Sequence, residues 1–314
     1  MIPENNSCMS ILEEVSKVIV GKRNVLENLM LAILSDGHVL IEDYPGLAKT
    51  LMAKSFALAM GLRFKRIQFT PDLLPADVTG TYVLDRKTSD FELRKGPIFT
   101  NILLADEVNR APPRTQSALL EAMQEKQVTI ENETLKLEKP FIVLATQNPI
   151  EYEGTYPLPE AQLDRFLVKL SVGYPSAEEE VQILERRNQR KTDEVSIGKV
   201  ASLDELLQMQ KSIEDVHIDE AVERYIVEIV RATRSHQDVE VGASPRGSLA
   251  IMRLSKAKAW LNGRDYVIPD DVKTVTVPAL THRLILKPEQ WLRGGKTAAI
   301  VEELLRKIAV PKVD

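Results

Sequence analysis

The chain has 314 residues, room for about two domains with a core each, and its 46 acidic and 41 basic side chains leave a net charge of −5. That mild acidity, with only 5% aromatic residues, excludes the basic footprint and stacking platforms of a sequence-independent nucleic-acid binder. A single cysteine, Cys8, excludes an internal disulfide framework and fits a reducing compartment.

Glu4, Glu13 and Glu14 stand where a signal peptide needs a basic start and an apolar run. No apolar run, residues 29–34 included, approaches the ~20 residues of a membrane span. A cytoplasmic chain without an anchor is expected. Strand-like runs then alternate with helical patterns, which predicts a parallel sheet covered by helices. Residues 38–42 are a compact apolar strand ending at a Pro-Gly turn, and a helix follows over 50–60. The alternating run 64–69 is a second strand; 101–105, 141–145 and 166–172 are three more. Leu119, Leu120 and Met123 give residues 116–124 a helical spacing. Two hairpins interrupt the rhythm, at 81–97 and at 127–139, the second turning at Asn132. Beyond residue 173 the character changes. A helix over 177–190 is capped by Ser176 and carries Glu178, Glu179 and Glu180 in its first turn. Helices over 203–213, 219–234, 244–260, 269–280 and 298–308 complete the chain, with no strand among them. The predicted division is an α/β domain at 1–173 and an all-helical domain at 177–314.

Three segments carry chemistry. In Asp43-Tyr-Pro-Gly-Leu-Ala-Lys-Thr50 a strand turns into a helix at Lys49-Thr50, the arrangement of a phosphate-binding P-loop. Pro45, Gly46, Leu47, Ala48, Lys49, Thr50 and Leu51 would surround the phosphates of ATP, and the Thr50 hydroxyl would reach Mg²⁺. Two glycine positions of the strict pattern are filled by Asp43 and Ala48, leaving Gly46 for close backbone approach. Asp43 tolerates left-handed backbone better than most residues, but its charge is unfavourable beside a triphosphate unless turned away. Next, Ile102-Leu-Leu-Ala-Asp-Glu107 ends an apolar strand in two carboxylates, at the edge where parallel sheets collect ligands. Asp106 is the candidate Mg²⁺ ligand, and Glu107 the candidate base for an attacking water. Third, Asn148 ends the strand Phe141-Ile-Val-Leu-Ala-Thr-Gln-Asn148 and could hydrogen-bond the γ-phosphate or that water.

These segments resemble Walker A, Walker B and sensor 1 of AAA+ ATPases, members of the P-loop NTPase fold class. The likeness is closer still to the MoxR group, in Gln68-Phe-Thr-Pro-Asp-Leu-Leu-Pro75, Ala105-Asp-Glu-Val-Asn-Arg-Ala-Pro112, Gln116-Ser-Ala-Leu-Leu-Glu-Ala-Met-Gln-Glu-Lys126 and Glu153-Gly-Thr-Tyr-Pro-Leu-Pro-Glu-Ala-Gln162. The resemblance implies a parallel-sheet core with a C-terminal helical lid, ATP bound between the two, and the adenine near Ile19, Val20 and Gly21. It implies that the hairpins face the channel of a homo-oligomeric ring, a hexamer. Arg165, in Leu163-Asp-Arg-Phe166, resembles the arginine finger that meets a neighbour's nucleotide. Arg246, in Gly242-Ala-Ser-Pro-Arg-Gly-Ser248, resembles sensor 2; Ser244 as N-cap and Pro245 place it in a first helical turn, where a cation opposes the helix dipole and either an anionic ligand or plain solvation would accommodate it. Arg110 and Arg114 are candidate contacts to a neighbouring subunit. The expected activity is ATP hydrolysis driving chaperone-like remodelling of a client, in similar proteins often a von Willebrand factor A-domain protein or an enzyme receiving a metal or cofactor. Alternatives are an ATP-binding scaffold of weak turnover, which Asp43 would favour, and a nucleic-acid motor, which the charge and aromatic content oppose. His217, His236 and His282 show no metal-ligand spacing with a cysteine.

Overall fold

The computed structural model describes residues 6–149, 154–292 and 294–312. Five strands form the central parallel sheet: β1 (Val39–Glu42), β2 (Phe64–Gln68), β5 (Ile102–Asp106), β8 (Ile142–Gln147) and β9 (Val168–Leu170). Their order is β2-β5-β8-β1-β9. The central strands β5 and β8 are buried along nearly their whole length, as strands covered on both faces must be. Edge strand β2 exposes Lys65 and Arg66 and buries Ile67. Its parallel register sets Gln68 beside Asp106, so functional side chains collect at one carboxyl end.

Each predicted hairpin is present. Strands β3 (Gly80–Leu84) and β4 (Phe91–Lys95) pair antiparallel, as do β6 (Gln127–Ile130) and β7 (Glu133–Lys136). Gly80 takes φ +103°, and a Cβ there would lie 2.4 Å from the Arg94 carbonyl, so the neck of the first hairpin requires glycine. In the second turn it is Glu131, not Asn132, that takes positive φ. Tyr82 donates to Glu133 Oε2, tying one hairpin to the other.

The helices are α1 (Asn6–Ser16), α2 (Arg23–Leu34), α3 (Lys49–Ala59), α4 (Pro75–Thr79), α5 (Pro113–Glu125), α6 (Glu160–Leu163), α7 (Ala177–Arg190), α8 (Leu203–Glu214), α9 (Glu220–Ser235), α10 (Pro245–Leu261), α11 (Pro269–Leu280), α12 (Pro288–Leu292) and α13 (Thr297–Lys307). Ser176 caps α7 by accepting from Glu179 N, and Ser244 caps α10 by accepting from Arg246 N. None of the described helices is long and apolar enough to cross a membrane.

Two expectations are corrected. The C-terminal half is helical apart from a two-stranded ribbon of β10 (Val239–Val241) and β11 (Ile285–Leu286). Strands of three and two residues are too short to display an alternation. Nor does each half keep a core to itself. One buried cluster runs from α1, α2 and α3 on one sheet face into α8, α9, α10 and α11. The other fills the opposite face, under α5 and both hairpins. The sheet, not residue 173, separates them.

Candidate active site

The loop after β1 reverses direction over residues 43–48 and feeds directly into α3 at Lys49. Gly46 (φ +84°) and Ala48 (φ +56°) are its left-handed residues; Asp43 is not among them. A Cβ on Gly46 would meet nothing within 4 Å, so backbone conformation, not crowding, calls for glycine there. The strain expected at Asp43 sits on Ala48 instead. Lys49 Nζ folds back on the loop, donating to the carbonyls of Asp43 (2.8 Å) and Tyr44 (3.0 Å). Burial lowers its pKa, against the opposing pull of Asp106, Asp43 and Glu107.

Asp43 turns its charge away from the phosphate side. Its Oδ2 accepts from Ser171 Oγ (3.0 Å), Val172 N (2.6 Å) and Gly173 N (2.7 Å), and Oδ1 from Tyr44 N (2.9 Å). Burial raises its pKa, but the hydrogen bonds from Gly173, Tyr44, Ser171 and Val172 outweigh that and hold it below the usual carboxylate range. Tyr44 then stacks on Tyr174, ring centroids 5.7 Å apart. Lys22 Nζ donates to the Tyr174 carbonyl at 2.7 Å and lies 3.9 Å from Glu179. Gly21 also packs on Glu179. Residues 21–22, 43–44 and 171–179 thus converge, although Ile19, Val20 and Gly21 do not line the cavity described next.

That cavity, about 400 Å³, is walled by residues 45–51 with Arg66, Gln68, Asp106, Glu107, Thr146 and Asn148. It unites the predicted P-loop, carboxylate pair and sensor asparagine. Asp106 Oδ1 accepts from Thr146 Oγ1 (2.6 Å), and Oδ2 from Arg66 Nη2 (2.6 Å) and Nε (3.1 Å). Glu107 takes a left-handed backbone (φ +56°), a sparsely populated conformation of the kind that clusters at functional sites. Its Oε2 accepts from Gln68 Nε2 (2.7 Å) and Arg110 Nη1 (3.1 Å). Arg110, expected to face a neighbouring subunit, therefore contacts Glu107 in its own chain. The sequence assigns no role to Arg66, Gln68 or Thr146, although Gln68 and Thr146 stand within quoted motifs; the strand register brings them to the carboxylates.

All these walls come from the sheet half of the chain. Among the described residues none from the lid lines this cavity, which covers the phosphate-binding loop and the carboxylates facing it. A wider cleft, about 1370 Å³, does open between the ends of β1 and β9 and the helices α11 and α13, but neither Lys49, Thr50, Asp106 nor Glu107 reaches it. Chemistry, not volume, selects the smaller one.

The two remaining arginines lie together elsewhere. Arg165 and Arg246 share a cavity of about 300 Å³ with Lys126, Arg253 and Arg283, against the acids Asp36 and Asp164. Asp164 pairs with Arg283 Nε at 2.8 Å and lies 3.9 Å from Arg246. Arg165 Nε has no hydrogen-bond partner among the described residues. Arg283, unmarked by any motif, is buried and donates to the carbonyls of Phe166 (2.7 Å) and Leu167 (3.2 Å), which fixes the Arg165 segment. Glu153, which opens the motif ending at Gln162, lies outside the described residues.

Comparisons with known proteins agree with this architecture. Residues 38–168 match the ATPase family associated with various cellular activities (AAA), and residues 231–304 the AAA lid domain. Chaperone MoxR1 of Mycobacterium tuberculosis is 43% identical over 310 residues, 96% of this chain and 81% of its own. The chain belongs to the MoxR-type AAA+ ATPases. Another relative, YeaC of Bacillus subtilis, is 50% identical over 300 residues, 96% of this chain and 93% of its own. The crystal structure of an inferred ATPase from Cytophaga hutchinsonii superposes with a TM-score of 0.92 at 45% identity, covering 98% of this chain and 96% of that one. As a MoxR-type protein the chain is expected to use Mg²⁺. The Thr50 hydroxyl and Asp106 carboxylate are hard oxygen donors on one cavity, and Mg²⁺ is held through one or two carboxylates plus substrate phosphates. The residues fit the ion.

Proposed function

We propose that this chain hydrolyses ATP in a homo-oligomeric ring, a hexamer, and uses the cycle to remodel a client protein. The observation that carries the reading is a division of labour. Lys49, Thr50, Asp106, Glu107 and Asn148 surround one cavity, whereas Arg165 and Arg246 gather at another. A second copy presenting its arginines to the first copy's phosphates would complete the site. Arg246 is thus read, like Arg165, as acting on a neighbour's nucleotide, and not on its own.

Within that site Lys49 and the backbone of residues 45–51 bind the phosphates. Thr50 and Asp106 would hold Mg²⁺, which supplies charge neutralisation at the phosphates when bound. Glu107 accepts a proton from the attacking water, and Asn148 orients that water or the γ-phosphate. The adenine is placed where residues 19–22 meet Tyr44 and Tyr174. The domains are read as 1–173 and 177–314, and the setting as cytoplasmic.

The hairpins are the candidate client surface. Phe91 is 71% exposed, with Val83 and Leu84 also uncovered, an apolar tip rarely left bare without a use. A client carrying a von Willebrand factor A domain is the occupant that the family suggests. With Asp43 turned onto residues 171–173, the weak-turnover scaffold loses its main support. Phosphate release by wild type and Glu107→Gln is the deciding assay. The variant should bind ATP as wild type does and lose at least ~100-fold in turnover, the contribution typical of a general base. Equal release from both sinks the hydrolase reading.

A further inference from the structure

Arg66 stands on edge strand β2, two residues before Gln68 and on the same face. The register pairs Gln68 with Asp106, so Arg66, Gln68 and Asp106 point to one side of the sheet. The guanidinium meets Asp106 Oδ2 through Nη2 (2.6 Å) and Nε (3.1 Å), and Nη2 also donates to Gln68 Oε1 (2.9 Å). Gln68 spends its amide group on Glu107 Oε2 at 2.7 Å. A chain of side-chain contacts therefore runs from Asp106 through Arg66 and Gln68 to Glu107, whose Oε2 Arg110 also holds and whose N–H donates to Thr146.

We propose that Arg66 is a built-in counter-cation of Asp106 that competes with the divalent cation for this carboxylate and, through Gln68, ties the position of Glu107 to the outcome. The proposal rests on the reading of Asp106 as a metal ligand. Both Asp106 oxygens already accept hydrogen bonds, Oδ1 from Thr146 and Oδ2 from Arg66. A divalent cation needs one of those oxygens and repels a guanidinium beside it. The Thr146 hydroxyl is neutral and offers no such repulsion, so Arg66 is the group that yields. It has somewhere to go, because its side chain is 48% exposed while that of Asp106 is only 14% exposed. When Arg66 leaves, Gln68 loses the contact that orients its amide, and its hold on Glu107 loosens. Arg66 is thus a positioning residue that delays the base until the cation has arrived.

The test is a Mg²⁺ titration of wild type, Arg66→Gln and Arg66→Lys, read by fluorescent-ADP binding and by melting temperature without nucleotide. Arg66→Gln should lower the Mg²⁺ concentration at half-saturation about tenfold and enlarge the Mg²⁺-induced rise in melting temperature. Arg66→Lys keeps the charge and should titrate close to wild type. Any change of ADP affinity in EDTA should be small beside the Mg²⁺ shift in both variants. A Mg²⁺ midpoint in Arg66→Gln equal to or above wild type overturns the proposal. So does a large loss of ADP affinity in EDTA, which would make Arg66 a phosphate ligand. Wild type that binds no ADP under any condition would instead refute the nucleotide reading; the melting shifts with Mg²⁺ alone then still decide the role of Arg66.

Discussion

At Asp43 a carboxylate occupies a phosphate-loop position usually given to glycine, and four hydrogen bonds explain how it is tolerated. Three of them come from Ser171, Val172 and Gly173, at the end of the sheet's last strand. Asp43→Ala deprives three backbone N–H groups of their acceptor, the buried one of Val172 and the part-buried ones of Tyr44 and Gly173, and should cost about 2–3 kcal/mol; urea unfolding reads this directly, and a loss below about 0.5 kcal/mol, the size of an ordinary surface change, would refute it. The residues that sequence reading found, Lys49, Thr50, Asp106 and Glu107, stand in short local motifs where a strand ends, so a few adjacent positions mark them. Those it misread or missed depend on distance along the chain. The Asp43 partners stand 128–130 positions away, and Arg283 meets Asp164 across 119. No local pattern encodes either pairing.

Among elements, legibility followed length and periodicity. The central strands announced themselves as apolar runs, and α7 matched its predicted span because Ser176 and Glu179 form a capping box. Helices α1 and α2 were passed over: α2 is buried almost continuously from Leu29 to Leu34, which blurs the one-sided stripe that marks a helix. His38, just before β1, shows how elements are stitched together. Its Nδ1 accepts from Val143 N (3.0 Å) on β8, which leaves Nε2 to donate to the Met123 carbonyl (2.9 Å) on α5. Burial pushes its pKa down to about 4. Burial likewise keeps His282 neutral, its pKa well below normal. Below the ordinary histidine pKa of about 6.5 the unfolded chain binds a proton that folded His38 refuses. Stability is therefore fully present above about pH 6.5 and falls as pH drops toward about 4, by roughly 3 kcal/mol from His38 alone. Urea midpoints at about pH 7.5 and about pH 4.5 should diverge less in His38→Gln than in wild type; an identical divergence would assign the acid loss elsewhere.

For the whole molecule, Arg165 and Arg246 stand apart from the P-loop cavity, and the proposed ring would make activity a property of neighbours. Arg165→Ala and Lys49→Ala proteins should each be inactive alone. Mixed, some joints pair an intact arginine cluster with an intact P-loop, and phosphate release should partly return. Mixtures as inactive as their parents would place Arg165 in the service of its own chain. The fold class and the two-part plan were visible in the sequence because strand, turn and helix signals repeat along the first half and stop near residue 173. How the parts share their interior was not visible, since Ile33 and Ile251, or Leu26 and Leu254, belong to one cluster only once the chain has folded.

That shared interior bears on where movement can occur. Swinging the lid away from the sheet would open a continuous oil-like seam to water at about 25 cal/mol for every Å² uncovered. Full separation of lid and sheet within one copy therefore carries a hydrophobic cost. In the proposed ring, a displacement that followed hydrolysis without opening this seam would be expressed at the boundaries between copies, where the arginines of one would meet the phosphates of the next.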